Sequence, residues 1–223
     1  MDVALMYRPR FFSVTASASP SLDLLNEEGE RIYTRDQLVV SGMFDGEPMH
    51  FIVGHWPSRS GGELTSRPRR NAAAALSRRL VDSLQAIDSG AKVFVMGDLN
   101  DDPVDESLRS YLKASGNPDR LREGELFNTM FPLFRKGIGS LYYRDRMNLF
   151  DQIIITPSLL GSDYRSPQIP SCPCFQFSLS GSEEEDGQYK GYPLRSFVGT
   201  VWQGGYSDHF PVYVIIVKGA CYR

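Results

Sequence analysis

Four short polar clusters in this 223-residue chain carry side chains that can do chemistry: His55, Asp98 with Asn100, Asp151, and Asp208 with His209. Each stands at the start or end of an apolar run with strand character. Asp98 and Asn100 are two residues apart, so an extended backbone turns both to one side. A carboxylate and an amide aimed at one point suit a water, a metal ion or a phosphate. Together, carboxylates, an amide and imidazoles form the set expected for metal-assisted hydrolysis of a phosphate ester. A hard cation such as Mg2+ prefers oxygen ligands. It neutralises phosphoryl charge and polarises the attacking water, while a histidine donates to a phosphoryl oxygen or moves a proton. Singly, each cluster also has a bland meaning. Gly97-Asp98-Leu99-Asn100 reads as a strand running into an Asx turn, His55 as a surface histidine, Asp151 as a capping residue, and Asp208-His209 as a structural pair. For all four to be bland, they would have to coincide by chance.

Other chemistries find less support. Ser207 abuts Asp208 and His209, but no Gly-x-Ser-x-Gly elbow exists. There is no Walker A loop and no dinucleotide fingerprint. Cys172, Cys174 and Cys221 are too few for a disulfide scaffold, and Cys172-Pro173-Cys174 is too short and isolated for a metal site. The net charge of −3 removes a generic nucleic-acid footprint from the total. The cluster Arg67, Arg69, Arg70, Arg78 and Arg79 leaves room for a local basic groove. No signal peptide or transmembrane segment is visible, and localisation stays open between cytoplasmic and secreted.

The elements that must position these residues follow from pattern. Met1–Tyr7 alternates like a strand, and Phe11–Val14 reads as a second short one. Gln37–Met43 and Met49–Gly54 form a hairpin around Asp45-Gly46, ending at the polar loop from His55 to Gly62. Ala73, Leu76, Leu80, Leu84 and Ile87 recur at helical spacing, with Ser66 and Pro68 as start signals and Gly90 as the stop. Arginines in the first turn of that helix oppose its dipole, so they face a ligand, an acidic partner or solvent. Val93–Met96 reads as a buried strand, so 50–96 is strand, helix, strand. A second helix is expected after Asp102, capped by it and carrying Leu108, Tyr111 and Leu112. Further strands are expected at Leu141–Tyr143, Gln152–Ile155, Phe175–Phe177 and Val212–Val217.

Four stretches carry a family resemblance: Gly-His-Trp-Pro-Ser-Arg (54–59), Met-Gly-Asp-Leu-Asn-Asp-Asp-Pro (96–103), Asn-Leu-Phe-Asp-Gln-Ile-Ile (148–154) and Tyr-Ser-Asp-His-Phe-Pro-Val (206–212). In order and spacing the chain resembles the endonuclease/exonuclease/phosphatase superfamily, the DNase I-like enzymes. It looks most like uncharacterised bacterial members. The resemblance implies an α/β fold, a four-layer DNase I-like sandwich. It also implies a single domain over 1–223 that is N-terminally incomplete, with part of the first sheet plus the second sheet. The family's Asn strand and its metal-binding Glu normally stand upstream of the position of Asp2, and no residue here matches them.

Carried over by residue, the resemblance gives His55 and His209 to the phosphoryl group. It has Asp98 orient or deprotonate the attacking water. Asn100 holds that water and a phosphate oxygen. Asp151 fixes the tautomer of His209, and Asp208 supports the metal. Arg59 and Arg70 are added as substrate-binding residues, because a guanidinium matches phosphate bidentately. The implied cofactor is Mg2+, with Mn2+ as substitute. The implied partner is a phosphate-ester substrate, DNA or RNA among them. The expected activity is phosphodiester hydrolysis of endonuclease type by direct attack of water. Two alternatives stand beside it: a phosphomonoesterase or lipid-headgroup phosphodiesterase with the same site, and an inactive remnant with a structural or binding role.

Overall fold

A computed structural model describes residues 3–25, 28–143, 145–161, 166–169, 174–176 and 183–219. Residues 3–7 have no regular structure, so the strand expected at Met1–Tyr7 is not formed in its described part. The first strand is β1 (Phe12–Ala18), which runs beyond the expected Phe11–Val14. It pairs with β4 (Leu38–Phe44), and a small hairpin of β2 (Leu24–Leu25) and β3 (Arg31–Ile32) lies between them in sequence. The predicted hairpin is present as β4 and β5 (Glu47–His55), turning at Asp45 and Gly46, both at positive φ.

Helix α1 (Glu63–Ile87) crosses from β5 to β6 (Val93–Asp98), making the expected strand–helix–strand unit. Ala72 to Ala75 supply strong helix formers. Glu63 favours the positive end, and the helix starts there, after Gly62 at the N-cap, upstream of Ser66 and Pro68. Beyond Asp102 the expected second helix is a single π-helical turn, Ser107–Tyr111. Lys113 at φ 59° ends that segment. The Asp102 carboxylate does not cap it. Asp102 accepts instead from the Leu149 N–H at 2.7 Å and from Asn148 Nδ2 at 2.6 Å. Leu108 and Leu112 are nevertheless fully buried, each contributing about 2 kcal/mol of apolar burial.

Then come β7 (Ala114–Ser115), β8 (Leu126–Asn128), the short α2 (Phe131–Arg135), the hairpin β9 (Leu141–Tyr143) with β10 (Arg146–Asn148), and β11 (Asp151–Ile155). The seven-stranded sheet runs β1-β4-β5-β6-β11-β8-β7, with β6 at its centre. The chain closes with β12 (Cys174–Gln176), the hairpin β13 (Phe197–Val198) with β14 (Val201–Trp202), and β15 (Val212–Val214). Phe177, Cys172 and Pro173 lie outside the described residues. The strand expected through Val217 stops at Val214, with Val217 making only an isolated bridge to Gln168.

Alternation sorts the sheet into two faces. Ile52, Val93, Val95, Leu99 and Ile154 pack with Ala73, Ala74, Leu76 and Val81 of α1. Met49, Phe94, Ile153 and Ile155 form the other face, against Met130 and Leu133 and the strand residues Val212 and Val214. The layers are therefore helix, seven-stranded sheet, and the β12–β15 pair. By the same alternation, His55, Asp98 and Asp151 belong to the second face.

Candidate active site

Strand register places three of the predicted residues in one row. His55 at the end of β5 is the register partner of Asp98 at the end of β6, and Asp151 at the start of β11 is the partner of Asp98 from the other side. Chemistry-bearing side chains thus collect at the centre of the sheet. Gly97 allows the close approach. It has φ 129°, and a Cβ there would lie 2.0 Å from the Gly54 carbonyl oxygen. Only glycine tolerates both conditions.

Within the row, His55 Nε2 lies 3.3 Å from Asp98 Oδ2. His209, carried on the loop before β15, puts Nδ1 2.7 Å from Asp151 Oδ2. Burial alone would lower the His209 pKa. The hydrogen bond and charge of Asp151, joined by the charges of Asp98 and Asp208, outweigh burial and push it up to about 9. His209 is therefore an imidazolium at neutral pH, with Nδ1–H donating to Asp151. Asp98 moves upward too, through burial and the neighbouring Asp151 charge, against the opposing effects of His209, the Asn100 N–H and His55. A carboxylate with raised proton affinity is a better proton acceptor from water than an ordinary aspartate.

Asn100 adopts a left-handed turn at φ 52°. Its N–H donates to Asp98 Oδ1 at 2.9 Å, and its amide Nδ2 donates to the Trp56 carbonyl at 3.0 Å and to Asp98 Oδ2 at 3.3 Å. The expected Asx turn is present, and it is what aims Asp98. The amide N–H groups hold Asp98 and the chain after His55, rather than standing free for a phosphate.

Arg59 and Arg70 require a correction. Both are buried. Arg59 Nε donates to the Asn100 carbonyl at 3.0 Å, Nη1 to Glu63 at 3.3 Å, and Nη2 to Asp101 at 3.2 Å and Asp105 at 2.7 Å. The guanidinium lies 4.5 Å from the centre of the Phe150 ring. Arg70 donates to Asp101 at 2.6 Å, to Ser66 Oγ at 2.7 Å, and to the Ser58 and Glu63 carbonyls. With their donors taken and their charges paired, these guanidinium groups brace the loop after β6 and do not present a fork to substrate. Their partners are acidic side chains of the chain itself, which accounts for Arg70 among the arginines early in α1, while Arg67 lies 3.5 Å from Glu63.

Two supports were not picked out from sequence. Ser140 Oγ accepts from the Asp151 N–H at 3.2 Å, and the Ser140 carbonyl accepts from the Phe210 N–H at 2.6 Å. One residue thereby ties the Asp151 strand to the His209 loop. Asp101 joins Arg59, Arg70 and Ser107, the last at 2.6 Å. Nothing local marks Ser140; Asp101 could have been noticed as the third polar residue after Gly97. Ser207 Oγ accepts from the His209 N–H at 3.1 Å and shapes the turn.

Mg2+ takes about six oxygen donors in near-octahedral array. Among the described residues no group of three His, Cys, Asp or Glu could hold an ion. Oxygens of Asp98 and Asp151 are turned to His55 and to cationic His209, and Asp208 is exposed. The described side chains do not fit a divalent-ion site, and the metal role expected of Asp208 is not assembled among them. Also among the described residues, no helix is long and apolar enough to cross a membrane.

A family model described as the Endonuclease/Exonuclease/phosphatase family matches residues 1–218. No curated protein sequence matches. Similar solved structures include TDP2 of D. rerio complexed with a single-strand DNA product, 12% identical, covering 94% of this chain and 70% of that one with a TM-score of 0.54. The Bacteroides thetaiotaomicron mannosyl-6-phosphatase is 15% identical over 95% of this chain and 69% of its own, with a TM-score of 0.53. A truncated TDP2 of Caenorhabditis elegans is 18% identical, with a TM-score of 0.46 over 66% of this chain. The chain spans about half of that protein, 54%. At such identities the likeness concerns the fold. The family match covers nearly the whole chain, and the chain belongs to the endonuclease/exonuclease/phosphatase family of metal-dependent phosphoesterases.

Proposed function

We propose that the chain is the working part of a phosphodiester hydrolase of endonuclease type, acting by direct attack of water. The observation that carries this reading is the row His55–Asp98–Asp151 with His209 locked to Asp151. Asp98, aimed by Asn100, takes the proton of the attacking water. The His209 imidazolium faces the charge that grows on the phosphoryl oxygens, and Asp151 keeps it protonated and oriented. His55, beside Asp98, is the second donor to that charge. Mg2+, with Mn2+ as substitute, belongs to the reading as the family's cofactor. Its ligands are not supplied by the described side chains, and no step above depends on it. The seven-stranded sheet on one side and the small β12–β15 pair on the other support the reading of a sandwich with its second sheet whole and its first in part.

A second reading, hydrolysis of a small phosphomonoester or lipid-headgroup diester through the same side chains, is favoured by the net charge of −3. A polyanionic strand gains most from a basic surface. Turnover of single-stranded DNA, RNA, a lipid-headgroup diester and a sugar phosphate, each with Mg2+, with Mn2+ and with chelator, tests the proposal. Cleavage of nucleic acid supports the endonuclease reading. Release of phosphate or a headgroup alone replaces it with the second. No turnover of any of them leaves the structural or binding role.

A further inference from the structure

Gln152 follows Asp151 in β11, and alternation turns it to the opposite face of the sheet, toward α1. That face is built from apolar residues such as Ile154, Val95 and Leu99. Gln152 is fully buried there. Its register partner on β6 is Gly97, which offers it no side chain. A buried amide persists when its donors and acceptors are paired. Asn128 Nδ2 donates to Gln152 Oε1 at 2.6 Å, and Gln152 Nε2 donates to the Asp101 carbonyl at 2.6 Å. Asn128, itself buried, receives the Met130 N–H on Oδ1 at 3.0 Å. This chain of bonds begins on a backbone donor and ends on a backbone acceptor. Its direction is therefore fixed, and neither amide can turn over without losing its bonds.

The bond to Asp101 falls next to the turn that aims Asp98. Asp101 follows Asn100, whose left-handed backbone puts its N–H on Asp98. A residue other than glycine keeps such a conformation when its surroundings over-determine it. The Asp101 carboxylate is held by Arg59, Arg70 and Ser107, on the side of α1 and the π-helical turn. Those bonds act on the side chain, through its rotatable bonds. Among the described residues, Gln152 is the one that grips the Asp101 carbonyl, and it does so from the strand that carries Asp151. The backbone beside Asn100 is thereby tied to the strand that presents Asp151 and, through it, His209.

We propose that Gln152 is a positioning residue for the hydrolysis, holding the Asn100–Asp101 backbone to β11 so that Asp98 keeps its aim beside Asp151. Asn128 keeps the Gln152 amide in the orientation that donates. The tether stands on its hydrogen bonds, and its part in the reaction rests on the hydrolase reading above.

Gln152→Met fills the space without a donor and tests the tether in the full chain. Gln152→Asn is the gentler variant, one carbon too short to reach both partners. Val81→Ala, in the second half of α1 and fully buried, is the control for core damage alone. Each is checked for fold by circular dichroism. Amide hydrogen exchange reads the tether without any substrate. The His50 N–H, which donates to the Lys92 carbonyl at 2.9 Å at the other end of the sheet, is the reference for global opening. Relative to it, the Asn100 N–H is expected to exchange about tenfold faster in Gln152→Met than in the parent. Gln152→Asn should show a smaller gain and Val81→Ala none. On a phosphodiester, kcat is expected to fall about 10–10²-fold in Gln152→Met with KM little changed, while Val81→Ala keeps both. Asn100 exchange no faster than in Val81→Ala, or an unchanged kcat, overturns the positioning role. A parent without turnover whose Gln152 variants still loosen Asn100 leaves the tether standing and fails the hydrolase reading instead.

Discussion

Nδ1 of His209 lies 2.7 Å from Oδ2 of Asp151, a pair that joins the start of β11 to a loop 58 residues further on. Both side chains are mostly shielded, at 23% and 21% exposed. The pair sets the charge state of the histidine, since Asp151 is the chief reason that its pKa reaches about 9 against the burial that opposes it.

Asp151→Asn is expected to bring the His209 titration down toward the ordinary value of about 6.5, observed through its imidazole proton resonances. The stability sign follows from the raised folded-state pKa. The pair's contribution, on the order of 3 kcal/mol, is fully present below about pH 6.5 and lost as pH rises through about 9. Urea unfolding across that window should show the loss in the parent and a flat response in Asp151→Asn. If His209 must be cationic to act, the alkaline limb of the pH–rate profile moves down by about two units in the variant.

Arg59→Met separates a brace from a phosphate contact. It leaves Asp105 without its Arg59 cation and Asp101 with Arg70 alone, and frees the Asn100 carbonyl. Truncating one partner of a buried charge pair costs about 3–5 kcal/mol, and urea unfolding should show a loss of that order. A substrate contact would instead raise KM and leave stability untouched. Arg59→Lys is expected to recover only part of the loss, because one ammonium cannot span Asn100, Glu63, Asp101 and Asp105 together.

Gly97→Ala tests the backbone approach that aims Asp98. Its Cβ would meet the Gly54 carbonyl at 2.0 Å from a φ of 129°. Strain at such a position costs about 1–3 kcal/mol before the clash is counted. A lowered melting temperature and a fall in kcat larger than any rise in KM are expected.

Ser140→Ala removes the acceptor of the Asp151 N–H while keeping the Ser140 carbonyl on Phe210. A loss of about 1 kcal/mol is expected, with a small downward shift of the His209 titration as Asp151 loosens. An unchanged titration with unchanged stability would deny Ser140 a part in placing the pair.

The row itself was legible in the sequence. His55, Asp98 and Asp151 each end or begin an apolar strand, and strand ends in neighbouring register must meet. Asn100 was legible as half of an Asx turn, and α1 from its periodicity. What lay hidden depended on contacts far apart in sequence. Arg59 reaches Asp101 and Asp105 across 42 and 46 residues, so the same side chains that suggest phosphate recognition turn out to neutralise an internal acidic cluster. The helix expected after Asp102 failed because Leu149 and Asn148 recruit its cap. Met1–Tyr7 has strand-forming residues, yet in the described part no neighbour pairs with it, and alternation alone makes no ladder. The stack of Tyr142 on Tyr192 could not be seen from sequence, since it joins rings 50 positions apart.

The most direct test is the hydrolysis rate of Asp98→Asn on a phosphodiester, with circular dichroism matched to the parent. The variant keeps the shape of Asp98 and removes its ability to accept a proton from water. A fall in kcat of about 10²–10⁴ is expected from loss of a general base, with KM little changed. A parent chain that turns over, and an Asp98→Asn variant within twofold of it, would contradict the site.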